Sequence, residues 1–419
     1  MRERAADERA TAPGQVVVVE AAPQAKQAAR ATAAAERLGV VDSLRALAAL
    51  YVVLSHMVLE VWQYNNPPDG APQLLAMPFS YGHYAVSVFI VLSGFSLMLP
   101  VTRHGERMPW SVGGFLWRRA KRILPPYYCA LALSLLLIWL LIGQKTGTHW
   151  DFALPVTGFS IIAHLLLFHN FTTDTATINH TFWSIAVECQ IYLLFPAFVW
   201  LFRRYRPLFA TVMIVALSVA ALFLLSLTWM GHLPSYGGFS VVPQYFGLFA
   251  VGMCAACAYA APSPLALRLG TWRCWELLAL ICFIILARTV SVWPIYLLDL
   301  LAALGSVGLL LAAVRPAARN PVRAALEWRP LVWIGGFSYS VYLIHAPLVQ
   351  LIWQYGLRPL GFGLGALPTY LALMVVGMPL IVAASWLFWY GCERPFLNSK
   401  PLGWRGAAWA DVRARAKTR

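Results

Sequence analysis

The segment SLRALAALYVVLSHM, residues 43–57, places an arginine and a histidine in an otherwise apolar run. Arg45 and His56 are separated by close to three helical turns, so both side chains lie on one helix face, about 16 Å apart along its axis. An ionisable group inside a bilayer is costly and usually faces the protein interior. Snorkelling to the interface would explain Arg45, but His56 lies too deep for that. We therefore predict a functional site at His56, where an imidazole provides proton-transfer or nucleophilic chemistry.

Two further apolar segments carry polar side chains. Glu188 lies in TFWSIAVECQIYLLFP, where a buried carboxylate has to be protonated or paired with a cation, unless it only joins two helices by a hydrogen bond. In GFSYSVYLIHAPL, the spacing of Ser338, Tyr342 and His345 places all three on one helix face. Such a face either lines a site or joins neighbouring helices.

A strongly basic stretch precedes another apolar run. The sequence FLWRRAKRILPPYY, residues 115–128, has four positive charges in five residues and then a proline pair that can start the third span. Arg119 and Arg122 in this stretch could anchor the chain to anionic headgroups. The planar guanidinium fork of arginine is equally suited to a phosphate group.

A pair of small residues, Ser93 and Gly94, lies in the middle of the apolar segment GHYAVSVFIVLSGFSLMLP. Small residues in a membrane helix allow a neighbouring backbone to approach closely. They also leave room for a ligand, and the sequence does not separate the two roles.

The composition indicates the environment that has to position these side chains. The 419 residues are 60% hydrophobic and only 12% charged, and the mean hydropathy is +0.66. A soluble domain needs a more charged exterior. The net charge of +15 is dispersed among the loops between apolar runs, which is typical of cytoplasmic loops and argues against a nucleic-acid partner. We predict an all-α, polytopic transmembrane helical bundle.

Ten segments have the length of a spanning helix. They are residues 40–62, 83–101, 124–143, 182–203, 208–230, 244–261, 274–290, 294–314, 332–354 and 368–391. If segment 155–170 is re-entrant or lies on the surface, all the basic segments lie on one side of the membrane. The only basic residues in the loops on the other side are then Lys145 and Arg358. The positive-inside rule then predicts about ten spans with both termini in the cytoplasm.

The regions outside the spans are short. Residues 1–36 are rich in alanine and charge and are predicted to form a disordered cytoplasmic tail, and residues 398–419 a basic cytoplasmic tail. We expect no second globular domain at either end. Cys254 and Cys257 have helical spacing without a second ligand pair, so no metal site is predicted.

In this order and at these depths, the motifs resemble those of the acyltransferase-3 family of integral membrane acyltransferases. The resemblance runs from Leu38 to Leu397, with Ile90 and Ile185 as departures from the commoner phenylalanine and leucine. The matching residues are Asp42, Arg45 and His56; Ser93, Gly94 and Phe95; Arg119 and Arg122; Trp183, Ser184 and Glu188; and Ser338, Tyr339, Tyr342 and His345.

This resemblance implies a multi-pass cell-membrane O-acyltransferase. The donor would be an acyl-CoA, in particular acetyl-CoA, used as a substrate with no permanently bound cofactor. The acceptor would be a hydroxyl of a glycan, lipid-linked sugar or small molecule. Arg119 and Arg122 would hold the CoA phosphates, and His56 would act as general base or be acylated itself. Arg45 and Glu188 would complete the catalytic set, with Glu188 or another carboxylate setting the proton location on His56.

Two other classes of function place ionisable residues in a membrane. A transporter would do so, although the spans show no evident internal repeat or matched pair of broken helices. A non-catalytic binding or sensing protein could have the same fold, because fold alone does not prove activity.

Overall fold

The computed structural model describes residues 22–62, 75–105, 108–228, 242–260, 272–289, 292–314, 320–359 and 365–397. The chain divides into two units between Leu38 and Gly39, and the architecture below is that of the second unit. The domain bounds predicted above stay predictions, and residues 1–21 and 398–419 of the two predicted tails lie outside the described residues.

All regular elements among the described residues are helical. The α-helices are α1 Ala22–Val61, α2 Gly82–Arg103, α3 Val112–Leu137, α4 Gly158–Leu165, α5 Trp183–Arg204, α6 Pro207–Thr228, α7 Gln244–Ala260, α8 Trp272–Thr289, α9 Ile295–Val314, α10 Pro321–Leu326, α11 Arg329–Gly335, α12 Ser338–Leu351, α13 Ala366–Ala372, α14 Met378–Phe388 and α15 Arg394–Leu397. Short 3₁₀ helices cover Met77–Phe79, His149–Ala153 and His169–Phe171, and π-helical turns cover Ile138–Ile142, Ile352–Leu357, Leu373–Gly377 and Trp389–Glu393.

Seven helical segments in the described part of the chain are long and apolar enough to cross a membrane. They are Gly39–Val61, Met77–Arg103, Val112–Ile142, Trp183–Arg204, Pro207–Leu225, Ile295–Val314 and Ala366–Leu397. A bent pair, Arg329–Gly335 and Ser338–Leu357, gives an eighth if it counts as one span, and α7 is a shorter apolar helix. The all-helical fold with several candidate membrane-spanning helices is confirmed, whereas the count of ten and the orientation of the termini stay predictions.

The outer surface is that of a protein immersed in lipid. Trp139 is 68% exposed, Leu208 69% and Val375 72%, although each is a large apolar side chain. In water such a surface would be a liability for aggregation. In a bilayer it contacts acyl chains at no cost.

The start of α3 differs from the prediction. The proline pair was expected to open the span, but Pro125 and Pro126 lie inside a helix that begins at Val112. Ser111 caps that helix, since its hydroxyl accepts a hydrogen bond from the Gly114 amide at 3.1 Å. Membrane helices tolerate internal proline because neighbouring groups satisfy the freed carbonyls. The basic stretch is therefore helical and not a loop.

The crossing of α2 and α7 explains the small residue at position 94. A Cβ atom on Gly94 would lie 2.1 Å from the carbonyl oxygen of Phe249. Reciprocally, a Cβ atom on Gly252 would lie 2.1 Å from the carbonyl oxygen of Val91. Glycine at both positions is thus required for the close backbone contact, which is one of the two roles considered for Gly94.

A bend of 77° separates α11 from α12, and buried residues of α12 pack against α1. At the bend, a Cβ atom on Gly335 would lie 2.1 Å from the carbonyl oxygen of Asp42, so the backbones of the two segments touch. This contact fixes the start of α12 against α1. Side chains further along α12 consequently face α1 at the depth of His56.

The segment between α3 and α5, which is described throughout, contains no helix long enough to cross a membrane. Its longest helix, α4, has eight residues and extends only about 12 Å, well short of the hydrocarbon core. A capping box of Thr157 and Ser160 starts it. The prediction that residues 155–170 form a re-entrant or surface segment agrees with this length.

Candidate active site

His56 and His345 form a hydrogen-bonded pair between α1 and α12. Nδ1 of His56 lies 2.9 Å from Nε2 of His345, and His345 is fully buried. Nδ1 of His345 in turn lies 2.8 Å from the carbonyl oxygen of Tyr342 and 3.1 Å from that of Val341.

These contacts assign the protons in the pair. A carbonyl oxygen only accepts, so Nδ1 of His345 carries the hydrogen and Nε2 of the neutral ring is an acceptor. Nδ1 of His56 must then be the donor, which leaves the lone pair on its Nε2. The prediction that a carboxylate orients His56 is therefore wrong, because the hydrogen-bond partner of His56 is a second imidazole.

Two more histidines, His149 and His180, surround His56. The ring centroid of His180 lies 4.8 Å from that of His56 and 4.5 Å from that of His149, and the centroids of His149 and His56 are 5.8 Å apart. Burial lowers the pKa of His149 to about 4, and burial together with the neighbouring His149 holds the pKa of His180 well below its usual range. Both rings are neutral at physiological pH.

Hydrogen bonds to α12 fix the residues next to the two loop histidines. Next to His180, Nδ2 of Asn179 donates to the carbonyl oxygen of Leu343 at 3.1 Å. Next to His149, the hydroxyl of Thr148 donates to Oε1 of Gln350 at 2.9 Å. The sequence predicted only that residues 155–170 of this segment are re-entrant or lie on the surface, whereas the two histidines near the ends of the segment reach the centre of the site.

The other two histidines of the segment lie elsewhere. His164 and His169 stack in parallel, with centroids 3.9 Å apart, and both are fully buried. Burial lowers the pKa of His164 to about 4 and that of His169 to about 3. We assign this pair to packing between α4 and the turn that follows it.

Glu188 belongs to a separate polar group that includes Ser93. Its carboxylate accepts a short hydrogen bond from the hydroxyl of Tyr192, and the Ser93 hydroxyl lies 3.4 Å from Oε1 of Glu188 and 2.8 Å from the Tyr192 oxygen. Arg45 and Arg119 interact electrostatically with Glu188. Ser93 therefore contributes a side-chain contact to this group, while its neighbour Gly94 contributes helix packing.

Arg45 is held at the same end of the bundle as the basic stretch of α3. Its guanidinium donates to the Ser96 hydroxyl at 3.0 Å and forms an ion pair with Asp42 at 3.4 Å. Arg122 interacts electrostatically with both Arg45 and Asp42. The matching Asp42, Arg45 and Arg122 thus lie together, about 16 Å along α1 from His56.

Arg119 has an unusual environment for a headgroup anchor. Its Nε atom is buried and has no hydrogen-bond partner among the described residues. Its guanidinium carbon lies 6.0 Å from the ring centroid of Phe115. A buried donor of this kind suits an anionic group that is absent from the protein itself.

The remaining predicted residues join helices. The Tyr342 hydroxyl lies 2.7 Å from that of Ser184, and the Tyr339 hydroxyl donates to the Ile123 carbonyl oxygen at 3.2 Å. The Ser338 hydroxyl donates to the Gly335 carbonyl oxygen at 3.0 Å, at the bend before α12. The contacts of these residues agree with the helix-joining role that was considered for them above.

The sequence analysis missed a contact between His83 and the buried Asp299. Oδ1 of Asp299 lies 3.0 Å from Nε2 of His83 and accepts from the Ser87 hydroxyl at 2.7 Å. The His83 ring stacks on Trp183 with a centroid distance of 6.2 Å. A carboxylate in the apolar run 294–314 was the signal that could have identified it.

Comparison with known proteins identifies the family. A family model described as an acyltransferase domain matches residues 39–390. The chain belongs to the acyltransferase-3 family. The resemblance inferred from the motifs is thereby confirmed.

Two relatives show how the match is distributed. Over 339 residues the chain is 24% identical to the peptidoglycan O-acetyltransferase OatA of Listeria monocytogenes, covering 74% of this chain and 49% of that protein. Over 346 residues it is 26% identical to the acyltransferase MdmB of Streptomyces mycarofaciens, covering 78% of this chain and 82% of that protein. The chain therefore spans about half the length of the Listeria relative. No solved structure matches it.

Proposed function

We propose that this protein is a multi-pass O-acyltransferase of the cell membrane, with about ten spans and both termini in the cytoplasm. It transfers an acyl group, in particular acetyl, from acyl-CoA to a hydroxyl of a glycan or small molecule. The family match and the relatives named as an O-acetyltransferase and an acyltransferase support the reaction class. One relative acts on peptidoglycan by its name, so a cell-wall glycan is the first acceptor to test.

The observation that carries the proposal is the orientation of His56. His345 keeps the hydrogen on Nδ1 of His56, so the lone pair of Nε2 is available to take a proton. In the proposed step, the acceptor oxygen attacks the thioester carbonyl carbon while Nε2 removes the hydroxyl proton. The C–S bond then breaks, and the proton passes from His56 to the departing sulfur of CoA.

The donor would enter from the basic end of the bundle. Arg119 and Arg122 are three residues apart on α3, so they share a face and can grip the CoA phosphates. The pantetheine arm would then pass Arg45 and Glu188 and cover about 16 Å to His56. The unpartnered Nε of Arg119 supports this direction.

The test is acetyl transfer by the purified full chain with acetyl-CoA and a panel of glycan acceptors. His56→Ala should retain membrane insertion and lose about 10²–10⁴ in rate, the usual contribution of a general base. Transfer near the wild-type rate by well-folded His56→Ala would refute the role of His56. Rapid denaturation at neutral pH during turnover separates the two chemistries, since an acylated His56 would be trapped only if His56 acts as the nucleophile.

The same assay discriminates the other classes of function. A transporter or sensor would bind CoA or a glycan without releasing free CoA thiol. Failure to release thiol with every donor and acceptor would favour those classes.

A further inference from the structure

Four histidines that are far apart in the chain form one cluster of neighbouring rings, which we call the chamber. His56 and His345 come from α1 and α12, whereas His149 and His180 come from the two ends of the non-spanning segment. His56, His149 and His180 each offer a ring nitrogen, and the three nitrogens lie within 4.8 Å of one another. Removal of a proton from the acceptor hydroxyl needs one imidazole and does not require three at such distances.

His180 shows that the chamber is chemically incomplete. Neither of its ring nitrogens has a hydrogen-bond partner among the described residues, and both are buried. A buried polar atom without a partner is costly, and here the rings of His56 and His149 lie beside it, so an ion bound among the three rings would satisfy it. The neutral state of the buried rings is also the one that coordinates metals.

We propose that His56, His149 and His180 form a binding site for a divalent transition-metal ion, with Zn²⁺ as the best-suited ion. Three neutral imidazoles with a fourth position left open are a common zinc ligand set. His345 would orient the ligand His56 by accepting its Nδ1 hydrogen, which is the arrangement that ligating histidines generally show.

The geometry requires a modest contraction. Zinc–nitrogen bonds of 2.0–2.1 Å in a tetrahedron place the nitrogens about 3.3 Å apart, closer than the present limit of 4.8 Å. His149 starts a short 3₁₀ helix, and His180 lies in a turn before α5. Both side chains can therefore turn inward while His56 stays fixed by His345.

Occupancy of this site has a consequence that rests on the proposed function. Nε2 of His56 has one lone pair, so it cannot hold a metal ion and accept a proton together. Bound zinc therefore inhibits acyl transfer, and it competes with the acceptor hydroxyl for this chamber. The ion would act as an inhibitory regulator and not as a catalyst.

Zinc binding is measured directly on the chelator-treated full chain, purified in detergent through a tag without histidine. Equilibrium dialysis with elemental analysis should give one Zn²⁺ that is lost in His149→Ala and in His180→Ala, with each affinity falling by at least about 10–100-fold. His104→Ala is the matched control, because His104 is exposed and lies outside the chamber. His149→Cys should restore binding and give Co²⁺ a thiolate charge-transfer band, which excludes misfolding as the cause of loss.

The outcomes separate this site from the catalytic assignment. Zinc stoichiometry that is unchanged in both alanine variants, or no binding by the wild type, overturns the metal site and leaves the acyltransferase proposal standing. Direct binding without any acyl transfer overturns the proposed function instead. If the site binds zinc and zinc activates transfer, the inhibitory role and the use of His56 as free base are both refuted.

Discussion

The histidine pair predicts a strong effect of a residue that need not touch either substrate. His345→Leu keeps a side chain of similar size on α12 but removes Nε2 of His345, the acceptor 2.9 Å from Nδ1 of His56. The Nδ1 hydrogen then loses its imidazole acceptor, and the loss of a buried hydrogen-bond partner costs about 1–3 kcal/mol. The His56 ring can avoid that cost by turning or by moving its proton to Nε2. Either change means that the Nε2 lone pair no longer faces the hydroxyl of the acyl acceptor.

The rate follows from this free energy. Because about 1.4 kcal/mol corresponds to a tenfold change in rate, kcat should fall roughly 10–100-fold in His345→Leu. The loss should stay below that of His56→Ala, since the base itself is still present. The KM for acetyl-CoA should not change, because the proposed phosphate site lies at the other end of α1.

Steady-state release of CoA thiol measures both constants. His345→Gln is the informative companion, because its amide oxygen can accept the Nδ1 hydrogen and should recover most of the lost kcat. Ser340→Ala is a matched control, since it removes a hydrogen bond to Glu393 from the same helix without touching His56. Wild-type kcat in His345→Leu would refute the proton assignment, and equal loss in the leucine and glutamine variants would reduce His345 to a packing residue.

Four further perturbations test other parts of the molecule. Arg119→Ala should raise the KM for acyl-CoA with little change in kcat, whereas an unchanged KM would return the arginine to the role of a lipid anchor. Gly94→Ala should destabilise the bundle by about 1–3 kcal/mol, seen as a lower Tm in detergent, because its Cβ would lie 2.1 Å from a backbone oxygen. Burial lowers the pKa of His169 to about 3, so the folded state loses stability as the pH falls below the pKa of the unfolded state, about 6.5. This loss amounts to roughly 3 kcal/mol at pH 4. His169→Gln should therefore flatten the dependence of Tm on pH, and an unaltered dependence would contradict this. In a cysteine-free background, Thr173→Cys and Arg204→Cys should label from opposite sides of the membrane, and labelling of both from the cytoplasm would contradict the predicted topology.

The helices were predictable from the sequence because spanning length is a local property. Runs of about twenty apolar residues predicted α2, α5 and α9 to within a few positions. The predicted start of α3 was wrong, because the proline pair was taken to open the span, whereas the helix already begins after the capping residue Ser111. Helix boundaries depend on such local competition, whereas the existence of a span does not.

The site could be predicted only where two of its residues lie on the same face of one helix. Arg45 and His56 were identified because they share a face of α1, and Tyr342 and His345 because they share a face of α12. That His345 accepts from His56 depends on the 77° bend, and that His180 reaches His56 depends on the fold of a segment without regular periodicity. Neither relation has a signal in the spacing of residues.

The two ends of the site follow opposite electrostatic rules. At the basic end, the carboxylates of Asp42 and Glu188 are placed among arginines, whose charges compensate for removal from water. At the other end, His56 is oriented by a neutral imidazole that donates to backbone carbonyls of its own helix. A carboxylate in that position would require a compensating cation deep in the bundle. The neutral pair therefore orients the proposed base without burying a charge, which allows this base to lie far from the arginines that we propose to bind the donor.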